Sequence, residues 1–464
     1  MITKELAKKV IKCALATGGD FAEIYLEDTL TNRIEMADRH IANCITNNIS
    51  GAGIRILHNL EEAYGYTNDL SEESLMELAT KLSKTFDETP LDIDFTFKEV
   101  KTNPVSTIKT YSRDIKNSDK IKYLNETSEA LYAYSDKIIQ AMVFFTDETQ
   151  KVEIFNSRGL WRKDVRNHQR LGANCVARDG DKVEKFGDNY GGNFGLEYYE
   201  KLDIKGFAAH IGKCTLDLLK AVDIPGGVYD VVMHNAFGGV IFHEACGHSL
   251  EASSVSKNLS VFSGKLGEMI ASPVVTAIDD GTIIDEWGSL GMDDEGNDPQ
   301  KNVLIKEGKL VGYMIDSRNG RRMQMEATGS CRRQSYKFSP TSRMTNTYID
   351  NGKSTFEEII KNTKYGIFAA YMGGGSVEPA TGEFNFSVNL GYMIEDGKIT
   401  YPIKGATLIG SGKDTLLKID MVGDNRSFGY GMCGASSGSI PACVGEPTIR
   451  VRNMTVGGKG VKKQ

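Results

Sequence analysis

Apolar residues recur at helical spacing at the start of the chain (Ile2, Leu6, Val10 and Ala14), which predicts an amphipathic first helix. Segments 21–27, 31–39, 51–57 and 62–67 then alternate apolar with polar residues and are rich in β-branched side chains, which predicts strands. Ser71-Glu72-Glu73-Ser74 opens a second helix with a partial capping box, Ser74 standing where a Glu would cap better. Leu75, Leu78, Ala79 and Leu82 give that helix its apolar face. A polar passage over 87–119 carries Pro90 and Pro104, the only prolines before Pro225, and reads as a connection. Beyond it the plan repeats. A helix is predicted over 118–134, strands over 138–146, 149–156, 165–178 and 181–187, and a long helix over 196–222.

Ile224-Pro225-Gly226-Gly227 breaks that helix and opens a different pattern. A strand over 227–233 leads into a helix from 236 to about 253. Mostly strand-like sequence follows, at 274–280, 302–307, 309–316, 348–350, 384–394, 398–403 and 448–453, punctuated by Glu307-Gly308, Asp396-Gly397 and Gly410-Ser411-Gly412. The fold class expected is α+β: an N-terminal α+β domain over 1–223 built of two similar helix/β-meander units (halves near 1–86 and 118–223), and a C-terminal domain over 224–464 of curved, mainly antiparallel sheet carrying a few helices.

A chain of 464 residues exceeds a comfortable single core, which agrees with more than one domain. The net charge of −7 and pI near 5.7 give no overall attraction to nucleic acid or to an anionic membrane. No stretch of 18 apolar residues exists, so no membrane span is expected, and the charged start of the chain does not read as a signal peptide. Eight dispersed cysteines without a paired framework read as free thiols or ligands in a cytoplasmic protein.

The chemistry concentrates in His243-Glu244-Ala245-Cys246-Gly247-His248. Two imidazoles with a carboxylate beside the first make a hydrolytic zinc site: neutral nitrogens for the ion, and Glu244 to take a proton from water. In the familiar H-E-x-x-H arrangement the His residues lie about 40° apart around the helix, whereas five-residue spacing puts them about 140° apart. One extra residue in the turn, a π-bulge, brings them back within about 50°. Gly247 is the residue type that tolerates such a distortion. The motif therefore predicts a metal site on a bulged or broken helix.

Hydrolytic zinc sites keep three protein ligands. Cys246, Cys433, Cys443, Glu251 and His234 are candidates for the third, with Cys433 only modestly ahead of Cys443 because flanking glycines let backbone N–H groups approach its thiolate. Gly410-Ser411-Gly412-Lys413 fails as a phosphate loop, since Thr407 and Asp414 occupy its required positions, and reads as a surface turn. The acidic stretch Asp293-Asp294-Glu295-Gly296-Asn297-Asp298 matches a calcium loop poorly and reads as solvated.

At this point the sequence resembles the TldD/PmbA family, in its metal-bearing TldD branch. The resemblance is carried by the motif at 243–248 together with Met292-Asp293-Asp294-Glu295-Gly296, Asn302-Val303-Leu304-Ile305, Gly312-Tyr313-Met314, Arg343-Met344-Thr345-Asn346-Thr347, the stretch 404–410 and Gly431-Met432-Cys433-Gly434. It covers essentially the whole chain and is densest over 227–455. It implies a zinc metallopeptidase with His243, His248 and Cys433 as ligands and Glu244 as general base, and dimers enclosing a cavity whose narrow access favours unfolded peptides. The partner is a second copy or a PmbA/TldE-type subunit, a branch that generally lacks the metal motif. Family members are linked to peptide-antibiotic maturation, antitoxin degradation and, by an older label, modulation of DNA gyrase. Arg343, Met344, Thr345 and Asn346 are expected to line the cleft as a strand that pairs with substrate main chain. The competing reading is a metal-containing scaffold that regulates a partner protein, which a closed four-ligand site completed by Cys246 or Cys443 would favour.

Overall fold

Helix α1 (Lys4–Ala14) starts where the Thr3 side chain accepts a hydrogen bond from Leu6 N, and it buries Ala7, Val10, Ile11 and Ala14. The structure, a computed structural model, describes residues 2–90, 93–378 and 381–460. Strands β1 (Phe21–Ala37) and β2 (His40–His58) form one long hairpin closed by Asp38 and Arg39, both at positive φ, the two-residue turn whose twist suits paired strands. Strand β3 (Glu61–Thr67) and helix α2 (Glu72–Ser83) complete the first unit. The connecting passage holds a short strand β4 (Lys98–Val100); its residues 91 and 92 lie outside the described set. The second unit repeats the plan in α3 (Asn117–Tyr134), β5 (Ile138–Asn156), β6 (Leu160–Asp179), β7 (Lys182–Gly192) and α4 (Ile204–Lys220).

The two meanders fuse into one sheet because β1 pairs antiparallel with β5, giving the order β3-β2-β1-β5-β6-β4, with β7 also on β6. The strands are longer than the alternation predicts. Residues 40–48 of β2 are exposed throughout, Ile41 and Ile45 included, so their pairing with β1 leaves no alternation of buried and exposed faces to read. The single helix expected over 196–222 is broken: Leu196–Tyr198 forms one 3₁₀ turn, and α4 begins only after Asp203, whose side chain caps Gly206 N.

In chain order the second half contributes β8 (Val222–Asp223), β9 (Gly227–Met233), β10 (Ala277–Asp280), β11 (Lys301–Lys306), β12 (Lys309–Leu310), β13 (Cys331–Arg332), β14 (Thr341–Ser342) and β15 (Asn346–Ile349). It continues with β16 (Tyr365–Glu378), β17 (Glu383–Glu395), β18 (Lys398–Lys404), β19 (Ala406–Ser411), β20 (Ile419–Val422), β21 (Ser427–Ala435), β22 (Gly438–Glu446) and β23 (Ile449–Gly457). These make two large sheets. One has the order β12-β11-β10-β15-β22-β21; in the other, β16-β9-β23-β19-β17 curls until β17 meets β16 again. Most pairings are antiparallel, but β15–β22, β9–β16 and β8–β18 are parallel. Glu307-Gly308 and Asp396-Gly397 form tight hairpin turns at positive φ, as their sequence predicts. Gly410-Ser411-Gly412 is not a free surface turn: Ser411 caps the helix Gly412–Lys418, and Gly412 is buried against Ala245. No helix among the described residues is long and apolar enough to cross a membrane.

The acidic stretch is the sharpest departure. Asp293, Asp294 and Glu295 are buried, not solvated, and they bind the two halves together. Glu295 lies 2.6 Å from Arg55 Nη1, and Asp294 lies 2.8 Å from Arg166 Nη2. Arg333 reaches back 2.6 Å to Glu23 on β1. Buried charges persist only when paired, as Asp294 and Glu295 are, whereas Asp293 accepts hydrogen bonds from Glu295 N and Asn297 and burial beside Glu295 pushes its carboxyl up to about 8.

Candidate metal centre

Strand β9 ends at Met233, and the chain then turns through Ala236, a non-glycine at φ 66°. From there the motif segment changes hydrogen-bond period repeatedly: a 3₁₀ turn (Ala236–Gly239), an α turn (Val240–Phe242), a π turn (His243–Gly247) and a second 3₁₀ turn (His248–Leu250). The decisive bond runs from His248 N–H to His243 O, five residues back. That bond closes the π turn which the five-residue spacing requires. The expected helix to 253 is therefore bulged, and it is also broken at Glu251, where ψ is 132°.

Gly247 sits in this turn for a different reason from the one its flexibility suggests. Its φ of −56° and ψ of −54° suit any residue. Space is what demands glycine, because a Cβ there would lie 2.3 Å from Met344 Sδ.

The π turn puts His243 and His248 on one side, with ring centroids 5.3 Å apart. Cys433 arrives from β21, the edge strand beside β22. Its Sγ lies 3.2 Å from His243 Nε2 and 3.3 Å from His248 Nε2, and one ligand atom from each of the three residues falls within 4.8 Å of the others. His243 and Cys433 are buried, whereas Glu244 keeps 34 % of its side chain exposed and places Oε2 3.9 Å from His248 Nε2. The carboxylate therefore faces the same point as the three donors, from the open side.

Burial alone would raise the Cys433 thiol, but the two imidazoles outweigh it and pull its pKa down to about 4. The thiolate is thus stabilised by His243 and His248, not by backbone N–H groups of flanking glycines. Burial likewise opposes charge on His248, yet Glu251, with the carboxylate 3.2 Å from Nδ1, and Cys433 raise its pKa above the ordinary imidazole value. Two nitrogens and a thiolate converging in a buried corner are the donor set that zinc and its neighbours prefer. The residues fit a metal.

The other third-ligand candidates do not join them. Cys246 turns into the apolar core. Cys443 sits against Glu286, 3.7 Å away. His234 contacts Asn235 O and stacks on Tyr371. Glu251 stands behind His248 instead of beside it.

The segment expected to line the cleft as a strand is interior, and only its last residue is in a strand. Arg343, Met344, Thr345 and Asn346 are at most 1 % exposed, and β15, which begins at Asn346, is flanked by β10 and β22. Asp279 instead accepts from Thr345 N and Oγ1 and from Thr347 Oγ1, which explains why this run is polar and yet interior. Sequence reasoning passed over β16, whose Gly373-Gly374-Gly375 run weakens any strand signal. From Ala370 to Val377, β16 pairs with β17 and, among the described residues, with no other strand, and β16 packs against the π turn.

Comparison with known proteins places the whole chain. Three family models described as PmbA/TldA metallopeptidase domains match: domain 1 over residues 22–85, the central domain over 110–219 and the C-terminal domain over 226–458. A protein named metalloprotease TldD homolog from Haemophilus influenzae is 35 % identical over 450 residues, 95 % of this chain and 93 % of that one. A metalloprotease of Methanothermobacter thermautotrophicus is 32 % identical over 445 residues, covering 95 % and 96 %. Among solved structures, a putative modulator of DNA gyrase from Thermotoga maritima superposes with a TM-score of 0.80 at 20 % identity, covering 98 % of this chain and 99 % of that one. TldE from Thermococcus kodakarensis does so at 0.76 and 18 %, covering 98 % and 100 %.

Proposed function

Because the chain belongs to the PmbA/TldD metallopeptidase family, we propose that it is a zinc-dependent peptidase acting on unfolded or extended peptides. The observation that carries the reading is the convergence of His243, His248 and Cys433 with the half-open carboxylate of Glu244 at their edge. A zinc ion held by those three side chains would supply Lewis acidity at the scissile carbonyl and acidify water.

The chain's own residues supply the remainder. Glu244 takes a proton from the attacking water and passes it to the leaving amine. Glu251, facing His248 Nδ1, favours the tautomer that leaves Nε2 free to donate its lone pair. Cys433 brings one negative charge, which moderates the acidity of the ion relative to three neutral ligands. The edge of β16 over 370–377 that faces away from β17 offers main-chain groups to an extended peptide, the role that the buried segment 343–346 is unable to take. Neither Cys246 nor Cys443 stands within the donor cluster, which supports an open coordination position and the enzyme over a closed scaffold site.

The proposal extends to the assembly, a homodimer or a heterodimer with a TldE-type subunit, and to the cytoplasm, where eight unpaired cysteines fit a reducing compartment. The test pairs metal content with cleavage of an unstructured peptide. Glu244→Gln is expected to retain about one zinc per chain and lose cleavage, while Cys433→Ala loses the zinc. Undiminished, chelator-resistant cleavage by Glu244→Gln would refute the mechanism.

A further inference from the structure

We propose that Arg343, acting with Glu251, is the positioning residue that sets the donor geometry of the metal centre. The inference rests on the metal-centre reading above and concerns residues that touch neither ion nor substrate.

Arg343 is fully buried, and its guanidinium fork is distributed over both ligand-bearing segments. Nη2 donates to the carbonyl of Cys433 itself, at 2.5 Å. Nη1 donates to Ser437 Oγ at 2.9 Å and to Gly438 O at 3.0 Å, which fixes the turn joining β21 to β22. Nε has no hydrogen-bond partner and lies 3.8 Å from Glu251 Oε1. That same carboxylate oxygen is 3.2 Å from His248 Nδ1. One planar cation thus holds the main chain of the thiolate donor while facing the carboxylate that orients an imidazole donor.

The two segments are 185 residues apart in sequence and meet at the Cys433–His248 contact. This bridge joins the main chain of Cys433 to the carboxylate behind His248, and so bears on how far the two donors stand apart. Lysine does not substitute for it, because a single ammonium is unable to span two carbonyls, a hydroxyl and a carboxylate at once. Partners behind the ligands are worth about tenfold to a hundredfold in metal affinity.

The test titrates the metal-free, full-length protein with Co2+ and follows the thiolate-to-metal charge-transfer absorption and the ligand-field bands, with Zn2+ affinity from competition against a chromophoric chelator. Arg343→Lys is expected to bind Co2+ about tenfold to a hundredfold more weakly, with a weakened thiolate band, even where circular dichroism shows the fold intact. Glu251→Gln, nearly isosteric, is expected to move both readouts the same way, and the double variant to be no worse than the worse single. A residue that only braced the hairpin would lower the unfolding midpoint and leave the bound spectrum unchanged. Should Arg343→Lys fail to fold, Glu251→Gln carries the test. Wild-type affinity and spectrum in the variants overturn the inference alone, whereas absence of a thiolate band in the wild type overturns the metal-centre reading as well.

Discussion

Gly247→Ala isolates the packing that shapes the π turn. The new methyl would stand 2.3 Å from Met344 Sδ and 3.2 Å from its Cε, where ordinary contacts are roughly 3.5–4.0 Å. One of the two must yield by more than about 1 Å in a close-packed interior. Met344 is itself fully buried and its main chain is held by Arg332 Nη1 at the carbonyl, 2.9 Å away, so any withdrawal falls to side-chain rotation within a packed interior. Overpacking of this kind costs about 1–3 kcal/mol, while replacing glycine at helical angles returns up to about 1 kcal/mol. The net expected is a loss of about 1–2 kcal/mol in the metal-free protein, measured by urea unfolding with fluorescence of Trp161 and Trp287. Met344→Ala alone should cost about 2–5 kcal/mol through the cavity it leaves. The double variant should cost less than the sum by about 1 kcal/mol or more, because each change relieves the other. A Gly247→Ala protein more stable than the wild type, or strict additivity in the cycle, would refute the claim that contact with Met344 dictates glycine.

Two further perturbations test the seam between the halves. His168 donates from Nε2 to Trp287 O, and burial together with Arg332 and Arg166 pushes its pKa down to about 3. A depressed histidine contributes stability that is complete above its unfolded value near 6.5 and is lost as the pH falls towards 3. His168→Gln should therefore flatten the acid limb of an unfolding-versus-pH curve, narrowing the loss between pH 6.5 and about 4.5 by up to about 2–3 kcal/mol; an unchanged limb would exclude His168 as its source. Glu295→Gln leaves Arg55 buried with only Glu62 at 2.8 Å and Glu23 at 3.8 Å, so a loss of about 3 kcal/mol is expected in urea unfolding at neutral pH, and a change under 1 kcal/mol would show the pair to be dispensable.

What was legible in the sequence was what short-range physics writes there. The five-residue spacing of two histidines forced a π turn, and dipeptides such as Glu307-Gly308 and Asp396-Gly397 declared their turns. The doubled helix-and-meander plan was visible because each helix and most strands bury one face. What was misread depends on partners far along the chain. Asp293 to Glu295 look solvated until Arg55, Arg166 and Arg333 are brought to them. Arg343 to Asn346 look like a polar cleft strand until Asp279 and the carbonyls of the β21–β22 hairpin absorb their donors. The third candidate ligand belongs to the same class. Cys433 and Cys443 were nearly equivalent by local chemistry, and only the strand pairing that points one at the histidines and the other at Glu286 separates them.

The adjacent pair Arg332 and Arg333 connects these non-local features. Arg333 donates to Glu23 on the N-terminal sheet and to the carbonyl of Asp294, while its own N–H is received by the Asp294 carboxylate. Arg332, on the neighbouring residue, donates to the carbonyls of Met344 and Pro441, which lie beneath the π turn and within the hairpin that carries Cys433. The acidic stretch that clamps the N-terminal sheet is thus one peptide unit from the brace beneath the metal donors. Both guanidinium forks are buried and have no solvent to turn to, and of their carbonyl partners that of Pro441 belongs to a strand, β22, paired with β21. The first half of the chain, which supplies none of the three candidate donors, thus reaches the structure beneath them through this pair of adjacent arginines.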